Sequence, residues 1–287
     1  MRIDSLYDQG TAREREDMLI CREYDGFGGL NLIAAVLDGV SGLYTPESGP
    51  RLFRGLTGGQ VVCNIASNII ESAPPGETLN SVFRRLNNEI MDLILEHGIP
   101  MERSDIIPGA AFAATRIRDG KIEIIQGADC FAVWLCRDGT IGATPNQVFA
   151  HDREMRKVMA DLMEKHASDR NKAWEEFAPT LSQARLARVN KEGEYGYALL
   201  NGQKNVSLCW QEFNLSQDQI DLLLLFSDGL VHFEDTENPL SLGRMVVNLY
   251  QQGSLPRILE RTRRIEEKEK EKSHIDHSEA TAIAIEF

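Results

Sequence analysis

Hydrophobic residues follow two periods along this chain, and the changes between them divide it into elements. LICREYD (19–25) and LNLIAAVLDG (30–39) are apolar, β-rich runs separated by GFGG, a pattern that predicts a hairpin. A polar, Gly/Pro-rich loop follows (41–59), and then two amphipathic helices are expected. In the second, Leu79, Val82, Phe83, Leu86, Ile90 and Leu93 keep helical spacing behind Thr78 as N-cap. Residues 109–145 return to strand logic, with Asp119-Gly120 between AAFAATRI and KIEIIQG and Asp138-Gly139 between CFAVWLC and TIGAT. Asp-Gly between β runs predicts a tight hairpin at each place.

The stretch 150–205 is mixed and contains one helical piece, REMRKVMADLMEKH. DLLLLF (221–226) is the most hydrophobic strand; helical segments come next, and ATAIAIEF ends the chain as a strand. The charge run ERTRRIEEKEKEK (260–272) reads as a solvated helix face or a mobile segment. Hairpins grouped around pairs of helices exclude a simple βαβ repeat, so the expected class is α+β with mostly antiparallel sheet.

Composition narrows the function more than the fold. With 287 residues and 42% apolar content the chain can bury a sizeable core, and its net charge of −13 argues against a nucleic-acid partner. Cys21, Cys63, Cys130, Cys136 and Cys209 are scattered without a C-x-x-C pair, which supports neither a zinc knuckle nor a disulfide framework. No run approaches a membrane span and the first residues lack an apolar leader, so a soluble cytoplasmic protein without a membrane partner is expected.

The candidate chemistry lies at two strand ends. LIAAVLDGV places Asp38-Gly39, and LLLLFSDGL places Asp228-Gly229, directly after long apolar runs, whereas Asp119 and Asp138 follow arginine in polar hairpin tips. Any single Asp-Gly is more often a turn. A carboxylate driven to the end of a buried strand is costly unless a positive charge meets it. Glu16, Asp17, Asp276 and Glu279 could converge with these two, and an all-oxygen donor set suits Mg²⁺ or Mn²⁺.

Taken in order, these segments resemble the metal-dependent protein serine/threonine phosphatases of type 2C. The resemblance rests on Glu16-Asp17, on VLDG (36–39), on GAAFAAT, on Gly127-Ala128-Asp129-Cys130, on LLLFSDGL, and on an aspartate before Ala-Thr and the last strand. It implies a four-layer α-β-β-α sandwich, two antiparallel sheets between helices, as one domain over 1–287 with a flap-like insertion at about 150–205. It also implies two Mg²⁺ or Mn²⁺ ions, with a weaker third one. Asp38 would bridge the pair, Gly39 would offer its carbonyl, and Asp228 and Asp276 would be ligands. Asp129 would serve the third ion, Glu16 and Asp17 would hold ion-bound waters, and Arg13 would bind the phosphate. The implied reaction is hydrolysis of phosphoserine or phosphothreonine on a protein substrate by a metal-bridging hydroxide, without a phosphoenzyme.

The match departs from the family pattern at several positions. Ala12 occupies the usual place of the phosphate-binding arginine, one residue before Arg13, and Val40 stands where a histidine acid can occur. Ser278 takes the place of the terminal aspartate, with Asp276 and Glu279 as candidates on either side; of these Asp276 is preferred. Gly109-Ala110-Ala111 replaces a Gly-Ser-Thr segment. These changes keep open an alternative in which the fold serves as a weakly active or inactive binding module.

Overall fold

A computed structural model of the chain describes residues 1–24, 30–44, 49–270 and 277–287. Among these residues the order is β1 (Arg2–Asp8), β2 (Met18–Glu23), β3 (Leu32–Val40), α1 (Gly58–Glu71), α2 (Leu79–Glu96), β4 (Gly109–Arg118), β5 (Lys121–Gly127), β6 (Phe131–Cys136) and β7 (Ile141–Ala143). Then come α3 (Phe149–Lys165), α4 (Arg170–Arg188), α5 (Val206–Cys209), β8 (Gln211–Ser216), β9 (Ile220–Phe226), α6 (Pro239–Lys270) and β10 (Ala280–Glu286). One antiparallel sheet runs β1-β10-β9-β6-β7 and the other β2-β3-β4-β5-β8. The expected β2–β3 pairing is present, although the GFGG turn itself lies outside the described residues.

Period-two alternation builds the layers. Leu32, Ala34 and Val36 of β3 face the other sheet and meet Leu223 and Leu225 of β9 and Ile283 and Ile285 of β10. Ile33, Ala35 and Leu37 point the opposite way, onto Val62, Ala66 and Ile70 of α1 and Phe83 and Leu86 of α2. Leu222, Leu224 and Phe226 pack in turn on Leu242, Val246 and Ile258 of α6. Strands apolar on both sides read as unbroken hydrophobic runs, because each is covered twice. The result is the expected sandwich, helix–sheet–sheet–helix.

Local chemistry sets the element ends, as anticipated for Thr78 and for Asp119-Gly120. Thr78 caps α2 by accepting from the Ser81 amide, and Thr57 caps α1 within a full capping box with Gln60. Asp119 and Gly120 both take positive φ (52° and 74°), the two-residue turn that matches the twist of β4 and β5.

Three features differ from the sequence expectation. An N-terminal edge strand, β1, pairs with β10 over its whole length. The mixed stretch after residue 149 forms two helices, whose own small core joins Met155, Phe177 and Leu181 to Leu43 of the loop after β3. The charge run, through Lys270, forms the last part of α6 and is tied down. Arg263, only 15% exposed, donates to Asp8 at 2.9 Å, to Glu266 at 2.7 Å and to the Ser278 carbonyl at 2.6 Å. Glu266 also holds His277 Nδ1 at 2.7 Å, so this helix anchors the segment leading into β10.

Truncating Arg263 therefore removes three charge-assisted contacts from a largely buried position. Arg263→Ala is expected to lower the unfolding free energy in urea by about 2 kcal/mol. Arg264→Ala, at a position 67% exposed, should change it by less than about 0.5 kcal/mol.

Candidate active site

The two Asp-Gly pairs at strand ends are built unlike those in hairpins. Gly120 and Gly139 have φ of 74° and 84° and stand in open space, as turn glycines do. Gly39 and Gly229 are required instead by close approach of backbone. A β-carbon on Gly39 would lie 2.6 Å from the Glu16 carbonyl oxygen and 2.9 Å from the Gly59 α-carbon. One on Gly229 would overlap the Glu279 carbonyl. The segment before β2, the first turn of α1 and the lead into β10 thus close over the two strand ends and bring their carboxyl groups together.

Asp38 continues the parity of Leu32, Ala34 and Val36 and so points between the sheets. Its carboxyl lies beside that of Asp228, and the two influence each other's titration. Asp17, only 3% exposed, accepts from the Ser227 hydroxyl at 2.7 Å, and Asp129 follows Ala128, held at φ 58° by the Gln147 side chain. Burial, and then repulsion from Asp17, Asp228, Asp129 and Glu279, pushes Asp38 well above the usual carboxylate range. The same two causes raise Asp129 strongly and Asp17 to about 7. Asp228 is raised less, because after burial its largest influence is the favourable Arg156 guanidinium. Among the described residues none of these carboxylates has a cationic side chain within 4.0 Å.

The other predicted residues fall unevenly around this centre. Glu16 turns its carboxylate to the hydroxyls of Ser41 and Thr57 and so clips the start of α1. Arg13 is exposed, and none of the interactions reaching the acidic centre involves it. Asp276 lies outside the described residues. Glu279 is at the centre, but both its oxygens are engaged. One accepts from the Tyr7 hydroxyl at 2.8 Å, the other from the amides of Glu16 (2.8 Å) and Asp17 (3.3 Å).

A cavity of about 120 Å³ opens beside Asp129 and Asp228, and α3 supplies two of its walls, Asp152 and Arg156. Sequence reasoning missed both. An acid and an arginine four residues apart on a predicted helix look like an ordinary surface pair. Only tertiary packing brings them to the cavity, Arg156 at its exposed rim and Asp152 deeper, where burial and the Asp228 charge raise Asp152 to about 6. His232, Asn146, Thr236, Ser278 and the carboxylates of Glu266 and Glu269 add to the polar lining, with His232 paired to Glu269 at 3.1 Å.

The donor set fits hard divalent cations. All candidate ligands are oxygens, they repel one another, and burial makes them costly as anions without a cation between them. Among the described residues no group of three or more acidic, histidine or cysteine side chains is arranged to hold one ion. A Mg²⁺-like ion keeps several waters and needs one or two carboxylates, so a closed cage is not required.

Comparison with known proteins gives a fold match without a sequence match. No protein-family model matches the chain, and no curated protein matches it by sequence. Among solved structures, serine/threonine phosphatase Stp1 from Staphylococcus aureus aligns over 100% of this chain and 94% of its own, with TM-score 0.55 and 15% identity. The Mycobacterium tuberculosis serine/threonine phosphatase PstP/Ppp aligns over 100% and 98%, with TM-score 0.55 and 14% identity. A PstP catalytic domain in complex with two manganese ions aligns over 99% and 96%, with TM-score 0.53 and 15% identity. The fold is that of the type 2C serine/threonine phosphatases.

Electrostatics make this acidic centre pH-sensitive. Asp17 and Asp152 have folded pKa values of about 7 and about 6 against 3.8 in the unfolded chain. Between these limits the folded state binds more protons than the unfolded state, so stability falls as pH rises. The thermal midpoint in EDTA is expected to rise by about 5 °C from pH 8 to pH 5. Mn²⁺ should raise the midpoint at pH 8 and have little effect at pH 5, where it must displace protons. A midpoint that drops from pH 8 to pH 5 in EDTA would contradict this account.

Proposed function

We propose that this protein is a Mg²⁺- or Mn²⁺-dependent phosphatase that hydrolyses phosphoserine or phosphothreonine on protein substrates. The observation that carries the reading is the convergence of Asp17, Asp38, Asp129 and Asp228 at one end of a phosphatase-type sandwich, beside an open cavity. The neighbours with this fold are named serine/threonine phosphatases, and one of them was solved with two manganese ions.

In this reading Asp38 and Asp228 hold the two ions, with the Gly39 carbonyl as a further ligand and Asp129 on the cavity side for a weaker third ion. Asp276 is the proposed terminal ligand, because Glu279 has both oxygens committed to Tyr7 and to the amides of Glu16 and Asp17. Glu279 and Glu16 act by position. The first fixes the backbone that carries Asp17, and the second fixes the start of α1 against β3. Asp17, held by the Ser227 hydroxyl, is placed to orient water near Asp38. When bound, a pair of divalent ions would neutralise the phosphate and acidify the attacking water.

A covalent route through the nearby thiols is disfavoured by their surroundings. Cys63 and Cys130 are buried, and burial followed by the adjacent carboxylates pushes both well above the usual thiol range. A neutral buried thiol is a poor nucleophile. The α3–α4 pair, within the stretch 150–205, is proposed as the flap that shapes substrate access.

The test is phosphate release from a phosphothreonine peptide with Mn²⁺. Asp38→Asn and Asp228→Asn should each lower the rate by about 10²-fold or more, and EDTA should abolish it. In EDTA at pH 8 the Asp38→Asn protein should be more thermostable than wild type, since an amide needs neither the burial of a charge nor the uptake of a proton on folding. Mn²⁺ binding without turnover by wild type would favour the binding-module alternative.

A further inference from the structure

Arg156 is the unusual residue in the cavity. It projects from α3 among Asp129, Asp152 and Asp228, yet among the described residues it forms no ion pair within 4.0 Å and no hydrogen bond. Arg153 on the same helix pairs with Glu237, and Arg188 on α4 pairs with Glu154. Arg156 meets an aromatic ring instead. Its guanidinium carbon lies 4.2 Å from the centre of the Phe233 ring, and Phe233 stacks in turn on Phe149 at 4.7 Å and 16°. A contact with an aromatic ring uses none of the guanidinium's N–H donors, so they stay available to an anion.

The local charge explains why such a group would sit among carboxylates. With Asp228, Asp129 and Asp38 neutralised by divalent ions, the guanidinium is released from balancing Asp228, and its donors face a site that has become cationic. A phosphate dianion is the ligand that suits ions on one side and a planar five-donor group on the other. Arg185 also bears on Asp152 but lies outside the cavity wall, and Arg13 is exposed on the N-terminal segment.

We propose that Arg156 of α3, set against Phe233 at the cavity wall, binds the phosphate of the substrate in place of an arginine from the N-terminal segment. This rests on the phosphatase reading above, and it makes α3 a supplier of a substrate-binding group as well as a cover.

The experiment uses inorganic phosphate as probe. Calorimetric titration into the full-length, Mg²⁺-saturated protein compares wild type, Arg156→Ala, Arg156→Lys and Arg13→Ala. Arg156→Ala should weaken phosphate binding by about tenfold to a hundredfold. Arg156→Lys should restore part of it, and Arg13→Ala none of the loss. Arg156→Ala should still fold cooperatively, because the side chain is exposed and makes no structural hydrogen bond, and its Mg²⁺ affinity should be equal or higher, because a positive charge beside Asp228 is gone. With the phosphothreonine peptide, KM should rise by a similar factor while kcat moves little. Unchanged phosphate binding in Arg156→Ala, a loss seen in Arg13→Ala instead, or no phosphate binding by wild type would each overturn the proposal. The phosphatase reading fails by a different result: phosphate that binds and depends on Arg156, with no release from the peptide by wild type.

Discussion

Mutual repulsion among buried carboxylates is the constraint around which this structure is arranged. Burial raises the pKa values of Asp17, Asp38, Asp129, Asp152 and Asp228, and repulsion from neighbouring carboxylates, Glu266 in the case of Asp228, adds to each shift. Without cations these raised values favour protons at the centre up to near neutral pH, with Asp17 at about 7. Such an arrangement disfavours folding on its own, and the sheets beneath it must supply the compensating stability. They do so with strands buried on both sides, whose side chains include Leu37 and Leu225 at essentially no exposure.

The same constraint explains why backbone is packed so closely at this end. A carboxylate is kept dehydrated by covering it, and here the covering segments are the chain before β2, the start of α1 and the lead into β10. Gly39, Gly59 and Gly229 let them approach to distances that a β-carbon would not permit. Glu16 and Glu279 then lock the cover with hydrogen bonds to hydroxyls and amides. Arg263 fixes the last of the three segments from outside, through the Ser278 carbonyl and Asp8. A charged stretch that looks solvated in the sequence is in this way coupled to the geometry of the acidic centre.

How much of this could be seen in the sequence depends on the range of the interaction. The doubly buried strands β3 and β9, the capping of α2 by Thr78 and the hairpin at Asp119-Gly120 are set by residues close in the chain, and all were legible. The contrast between two kinds of Asp-Gly was legible as context, polar tip against apolar strand end. Its cause was not, because Gly229 is needed by Glu279, fifty residues away. β1 has only partly buried positions and no apolar run, and its pairing with β10 depends on the other end of the chain. The helix α4 shows only the narrow stripe Ala173, Phe177 and Leu181, interrupted by Pro179, so its pattern is weak before Leu43 and α3 cover it.

The helix α3 shows what local reading leaves out. Its Asp152 and Arg156 carry a spacing that thousands of solvated helices share, and nothing in that spacing points inward. What turns them to the cavity is a chain of contacts. His151 on α3 meets Arg188 of α4, Ser182 of α4 bonds Asp105 before β4, and Trp174 donates to the Tyr44 carbonyl after β3. The first contact ties the two helices together, and the other two join the pair to segments leading into or out of the sheet that bears Asp38. An arginine so placed bears on Asp228 and Asp152 and yet pairs with neither within 4.0 Å, while Phe233 supplies a ring contact for it. An arginine bound to Asp152 or Asp228 would compete with a cation for that carboxylate. One that only meets a ring leaves the carboxylates free for cations and keeps its own donors for an anion. The arrangement therefore separates two charge-pairing tasks within one small cavity, and that separation makes a substrate role for α3 more economical than a purely structural one.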